Sequence, residues 1–292
     1  MNKTDFISFI HEFQGQLCDI FEAEDDVAKF STDKWERSEG GGGTTRIIQN
    51  GRVIEKGGVN TSIVHGPVTP ALAQQLQSKG TEFFACGISI VIHPLSPMVP
   101  TVHANFRYFE MMDDNGHTVD RWFGGGCDLT PYYLFRQDVD HFHDAFRNAC
   151  GSHYNEFKKN CDEYFVNKHR SERRGVGGIF YDYIRPDTEH DADYWLAFTK
   201  ANAHVFIDAY IPILQRRKDE PYTDQQVRWQ EIRRGRYVEF NLIHDRGTLF
   251  GLRSGGRTES ILMSLPPRAR FEYNDQPPSG SEESKLLEIL RT

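Results

Sequence analysis

Residues 101–110 read TVHANFRYFE, and their alternation decides the fold. Val102, Ala104, Phe106 and Tyr108 fall on one side, and His103, Asn105, Arg107 and Phe109 on the other. A period of two marks a strand with two unlike faces. The apolar face packs. The other presents an imidazole, an amide and a guanidinium, spaced about 7 Å apart by strand geometry. These supply a proton donor, a neutral donor–acceptor and a bidentate cation, a set suited to an anionic substrate that needs a proton moved. The strand taken alone fits an ordinary solvated face above a core equally well.

Upstream, FFACGISIVIHP at 83–94 reads as a buried strand carrying Ser89 among apolar neighbours and ending at His93–Pro94. A proline-rich turn joins it to the first stretch, so the two strands are expected side by side and antiparallel. Asn50–Gly51 between two β-branched runs signals a hairpin. WERSEGGGGTTR at 35–46 contains four consecutive glycines, which argue against a helix or an ordinary strand and for a flexible connection or a lid. In DRWFGGGCDLTPYY at 120–133, glycines flanked by aromatics read either as a turn or as backbone brought close to something flat. Apolar periodicity predicts helices over 4–24, 69–80, 138–150, 153–168, 191–217 and 223–234. Residues 170–184 run from a basic turn into a strand. Tyr237, Glu239, Asn241, Ile243 and Asp245 alternate as a strand face, with 245–248 as the turn and TLFGLR as the return strand. Residues 275–284 read as a loose loop before a short terminal helix. No repeat or linker divides the chain. Strands in hairpins and clusters, with helices between them, indicate a single α+β domain with a mainly antiparallel sheet.

The 292 residues, 38% hydrophobic, suffice for a large core. No apolar run is long enough for a membrane span, and the N-terminus has no basic region before an apolar run and is not arginine-rich, so no signal or transit peptide is expected. Five scattered cysteines without CxxC spacing suggest reduced thiols in a cytoplasmic protein. A net charge of −8 argues against general nucleic-acid binding. It leaves room for an anionic small molecule in a local arginine pocket.

The chain has no P-loop, HExxH or GxSxG motif. Instead arginines stand beside glycines at Arg174–Gly175, Arg246–Gly247 and Gly256–Arg257. Each can present a guanidinium fork to a carboxylate or phosphate, or form a plain surface ion pair. Their recurrence points to a ligand with several separated acidic groups. Asp245 can serve as a base or anchor an N–H donor; the same residue is a common structural choice in a turn.

HANFRYFE, WFGGGCDLTPYY, RRGVGGIFYDYI, RGRYVEFNLIHDRGTLFGL and SGGRTESILMSLPP together resemble the oxygen-dependent coproporphyrinogen III oxidase family, from about Trp35 to Tyr273. The resemblance implies an antiparallel sheet flanked by helices on both faces, a deep cleft, and a homodimer whose contact includes about residues 237–272. It implies that two propionates of coproporphyrinogen III become vinyls, giving protoporphyrinogen IX in haem biosynthesis, with O2 as oxidant and no organic cofactor. By the resemblance, His103 matches the proton donor and Asp245 an aspartate that holds the pyrrole nitrogens. Ser89, Asn105, Phe106, Arg107, Arg246, Gly255, Gly256 and Arg257 match or adjoin substrate-contacting positions, and Asp128 and Arg174 match positions tied to function. Bacterial members are described with a divalent metal on four histidines, matching His93, His103, His143 and His169. Where the family often reads FFDD, this chain has Phe180, Tyr181, Asp182 and Tyr183, so no catalytic role is assigned to that strand; His244 stands where an aromatic is usual. Two other classes are consistent with the residues: a metal-dependent oxygenase built on the four histidines, and a tetrapyrrole carrier that has no use for His103.

Overall fold

The computed structural model describes residues 3–69, 73, 80–253 and 256–291. A seven-stranded sheet forms its centre, antiparallel at every pairing: β1 (Ser31–Glu36), β2 (Gly41–Gln49), β3 (Ile54–Pro67), β4 (Glu82–Pro94), β5 (Thr101–Met112), β6 (Thr118–Thr130) and β9 (Gly177–Ile184), in that spatial order. A short ribbon of β7 (Val166–Asn167) and β8 (Glu172–Arg173) precedes β9. The expected α+β class, the 50–51 hairpin and the β4–β5 pairing are all present. The helix expected over 69–80 falls mostly outside the described residues.

The alternation of TVHANFRYFE is realised in space. Val102, Ala104, Phe106 and Tyr108 are buried in the main core, covered by α1 (Lys3–Asp25) and neighbouring helices. The apolar stripe of α1, from Phe6 to Phe21, is buried against this face. Next come α2 (Arg136–Cys150), α3 (Tyr154–Tyr164) and α4 (Ala192–Arg217), the last capped by Asp191, whose carboxylate accepts the Tyr194 amide. α4 packs against β5, β6 and α2.

The opposite face is partly covered by the C-terminal third, and there the sequence reading is corrected. Residues 237–253 do not form a β-hairpin. α5 (Asp224–Glu239) begins with a capping box between Thr223 and Gln226, continues into a π-helical turn at Phe240–His244, and is followed by α6 (Arg246–Arg253) and α7 (Thr258–Leu262). A helix α8 (Glu282–Leu290) closes the chain, joined to the rest through Leu286, Leu287 and Leu290. Ser260 of α7 bonds the Thr45 hydroxyl and, through its carbonyl, the Asn60 amide, fixing α7 over β2 and β3.

The glycine runs also differ from expectation. Gly41–Gly43 lie in β2, where a Cβ at Gly43 would run into the Trp35 ring. Gly124–Gly126 lie in β6. Gly124 leaves room for a side chain of the neighbouring strand: a Cβ there would come within 2.7 Å of Arg107 Nε.

Candidate active site

Between the polar face of the sheet and the C-terminal helices lies a cleft of about 500 Å³. Strand register builds its floor. Ser89, Asn105 and Gly126 are successive cross-strand partners, as are Gly87, Arg107 and Gly124, and His103 pairs directly with Asp128. Phe109 stacks on Trp122 with centroids 4.2 Å apart, and Tyr164 on Phe180 at 4.3 Å; these rings form two aromatic walls.

His103 Nδ1 lies 2.9 Å from Asp128 Oδ1. The same carboxylate receives a fork from Arg174, whose Nη2 is 2.6 Å from Oδ1 and whose Nε is 3.2 Å from Oδ2. Both side chains are sealed from solvent, Arg174 at 2% and Asp128 at 1% exposure. The guanidinium rests on the Phe165, Tyr237 and Phe240 rings and donates to Asn241 Oδ1 at 3.0 Å. Burial acts to raise the Asp128 pKa, but Arg174 and His103 outweigh it and hold the carboxyl below the usual range. An ionised Asp128 accepts the proton on His103 Nδ1 and so orients the ring.

Asp245 lines the cleft at the start of α6. Its Oδ2 accepts the Thr248 amide and hydroxyl, each at 2.7 Å, and its Oδ1 accepts the Tyr164 hydroxyl at 2.8 Å. The residue is therefore a helix cap, not a hairpin turn. A carboxylate has about four acceptor sites. Three are taken, which leaves capacity for one N–H from a ligand. Burial acts to raise its pKa, but the bonds from Thr248 and Tyr164 prevail and keep it low. The Tyr164 hydroxyl is pushed up to about 12, by burial first and then by Asp245, so it stays a donor.

Arg107 lies across Gly124, its Nη1 donating to Asn105 Oδ1 at 3.0 Å and its Nη2 2.8 Å from Asp182 Oδ1. Arg246 lies over the Tyr164 ring and reaches Asp182 Oδ2 at 3.5 Å. Ser89, His103, Asn105, Arg107, Arg174, Asp245 and Arg246 all line the cleft. Asp128 stands directly behind His103.

Other expected positions lie elsewhere. Phe106, at 0% exposure, belongs to the core beneath the sheet, so its side chain does not face the cleft. Arg257 is outside the cleft lining: Nη2 is paired with Asp33 of β1, and Nη1 lies 3.4 Å from the Ser260 hydroxyl at the cleft's edge. Gly256 donates its amide to the Gly251 carbonyl, and Gly255 is outside the described residues.

The four histidines are not brought together. His93 bonds Thr101 and the Ser264 carbonyl, His143 bonds Tyr154 and the Val176 carbonyl, and His169 bonds His244 and Glu239. In each of these three rings both nitrogens are engaged, and no group of three or more metal-ligating side chains occurs among the described residues. These donors do not fit a shared metal, which corrects that expectation.

Sequence reasoning missed Asp182, Tyr164, Phe180 and Trp122. The pairing of Phe180 with Gly126 follows from register and carries no local signal. The period-two pattern of FYDYI does put Phe180 and Asp182 on one face.

Residues 5–292 match the family model described as coproporphyrinogen III oxidase. Rattus norvegicus oxygen-dependent coproporphyrinogen-III oxidase, mitochondrial, is 49% identical over 99% of this chain and 68% of its own length. The Glycine max chloroplastic oxygen-dependent enzyme is 49% identical over 98% of this chain and 77% of its own. The Drosophila melanogaster oxygen-dependent enzyme is 49% identical over 97% and 75%. With nearly every residue matched, and with the shared stretches converging on one cleft, this chain belongs to the coproporphyrinogen III oxidase family.

Proposed function

We propose that the chain catalyses the oxygen-dependent conversion of coproporphyrinogen III to protoporphyrinogen IX. The observation that carries this reading is the cleft itself. It has an arginine-bearing floor, aromatic walls, a carboxylate with one free acceptor site and an oriented imidazole, all on stretches shared with the family. A tetrapyrrole with acidic side chains asks for each of these.

Each propionate that becomes a vinyl loses CO2 together with two electrons and one proton. O2 takes the electrons, and the pyrrole beside the propionate is the electron-rich group that yields them. In this reading Arg107 holds a substrate carboxylate, with Arg246 nearby. Ser89 and Asn105 fix the floor. Asp245 accepts a pyrrole N–H and stabilises positive charge that develops on the ring. His103, oriented by Asp128 and Arg174, handles the proton at the reacting side chain. The test is to incubate the protein with coproporphyrinogen III under air and under argon and to separate the porphyrins by carboxylate number. Loss of two carboxylates under air alone supports the reading; an unchanged tetracarboxylate refutes it.

We further infer a homodimer whose interface includes residues about 237–272. The exposed large apolar side chains of that segment include Leu242, Ile243, Leu252 and Phe271, whereas Phe240 is buried inside the subunit. A monomer by light scattering at micromolar concentration would contradict this. Five free, buried cysteines fit a reducing compartment such as the cytoplasm; among the described residues no helix is long and apolar enough to cross a membrane.

A further inference from the structure

Asp182 is held by more than strand alternation. β9 leaves register with β6 at this point: Tyr181 pairs with Gly125 and Ile184 with Phe123, so Asp182 and Tyr183 together oppose Gly124. This is a β-bulge, the device by which strands beside active sites re-aim a side chain. Its cost is visible at Tyr183, a non-glycine residue at φ +54°. The Tyr183 amide donates to Asp182 Oδ1 at 3.0 Å, and the Tyr183 ring packs on Trp122 of the cleft wall, with centroids 5.4 Å apart. The bulge thus anchors an aspartate whose two oxygens face two cleft cations, Arg107 at 2.8 Å and Arg246 at 3.5 Å.

We propose that Asp182 is a positioning and specificity residue: an internal carboxylate that occupies the Arg107 and Arg246 forks before substrate arrives and sets where a substrate carboxylate binds. Resting on the function proposed above, the idea concerns the propionate-bearing ring. An incoming carboxylate must take at least one guanidinium from Asp182, and Asp182 then stands beside it as a like charge. The residue therefore lowers affinity for carboxylates in general. In exchange it holds both arginines in one orientation, so that only a carboxylate delivered in the right register is bound well. A group on a strained bulge is fixed enough to do this, where a surface aspartate would swing away.

The role predicts an unusual sign. Asp182→Asn keeps the shape and removes the charge. Binding of coproporphyrin, the oxidised and unreactive tetracarboxylate, followed by fluorescence quenching, should tighten by at least roughly tenfold, the low end of what removing one like charge a few ångströms away gives between bulk-water and protein-surface dielectric. KM should fall while kcat also falls, because the arginines are no longer held, and Asp182→Glu should recover part of kcat. A merely structural aspartate, or one that contacts pyrrole N–H groups, gives weaker binding on substitution. That result overturns the proposal.

A second readout needs no substrate. Phenylglyoxal labels free guanidinium groups, and peptide mass spectrometry reads Arg107 separately. Labelling of Arg107 should rise severalfold in Asp182→Asn and fall in Arg246→Gln, which leaves Asp182 to Arg107 alone. Unchanged labelling in both variants overturns the proposal even if the tetrapyrrole reading stands. The expected labelling changes without any coproporphyrin binding would retain it and reject the tetrapyrrole reading. Arg246 is largely exposed, so the second variant tests the idea even if Asp182→Asn fails to fold.

Discussion

Asp128→Asn tests the histidine–aspartate–arginine unit. The substitution removes a charge that is 1% exposed and leaves the Arg174 guanidinium, 2% exposed, without its counter-ion. Breaking one side of a buried pair costs roughly 3–5 kcal/mol, because the orphaned charge stays desolvated. The asparagine cannot satisfy both neighbours. With its oxygen in the place of Oδ1 it still accepts from His103 Nδ1 and Arg174 Nη2, but its amide group then meets Arg174 Nε–H; reversed, the amide group meets both the Nδ1 proton and Nη2. Stability should therefore fall by that amount in urea unfolding. Arg174→Gln, which orphans Asp128 instead, should cost about as much. The double variant should lie well above the sum of the two, since no unpaired buried charge remains. Turnover should not recover with it: loss of an oriented proton-transfer imidazole costs about 10²–10⁴-fold, and His103 is unheld in all three proteins. Additive stability losses would show that the pair is not coupled. Wild-type turnover in the double variant would show that it does not orient His103.

Arg107→Ala should weaken binding of the tetracarboxylate porphyrin by an amount on the order of 2–5 kcal/mol, with only partial recovery in Arg107→Lys, which lacks a bidentate fork; near-normal affinity would remove Arg107 from the pocket. Asp245→Asn should leave α6 capped, because the remaining oxygen can still accept from Thr248 while the amide donates to Tyr164, and should lower turnover at least roughly a hundredfold; full turnover would make the residue purely structural. His93 and His143 are both depressed below the ordinary histidine value, in each case chiefly by burial. The unfolded chain therefore takes up protons that the folded one refuses, and stability falls as pH drops below about 6.5, by up to about 2.7 kcal/mol per pH unit for two such groups. Urea titrations at pH 7 and pH 5.5 check this, and equal midpoints would refute it.

The parts of the fold that were readable are those where periodicity and burial coincide. β5 alternates because one face meets the helices and the other the cleft, and that alternation alone separated Arg107 from Phe106. Residues 237–253 misled because RYVEFNLIHD is a short apolar run with period-two placements, which cannot distinguish a buried helix from a strand. The deciding contacts are tertiary: Phe240 packs with Cys161 and Phe165. Two local signals did favour helices there, the Thr223–Gln226 capping box and Asp245 three residues before Thr248. The glycines of β6 leave a turn and a close approach equally open in the sequence, because the side chain that fills the space beside Gly124 comes from the neighbouring strand. The link between His103, Asp128 and Arg174 needed register, which no single stretch carries. The Asp182 contacts arise from a bulge and from two arginines far away in sequence, which no local pattern carries.

The most direct test measures CO2 released per coproporphyrinogen III consumed by the wild-type protein, with O2 supplied and with O2 excluded. The account predicts two CO2 per substrate under air, with protoporphyrinogen IX as product, and none under argon. Tight binding with no CO2 would make the protein a carrier, and CO2 release under argon would remove O2 as the oxidant; either result contradicts the proposed reaction.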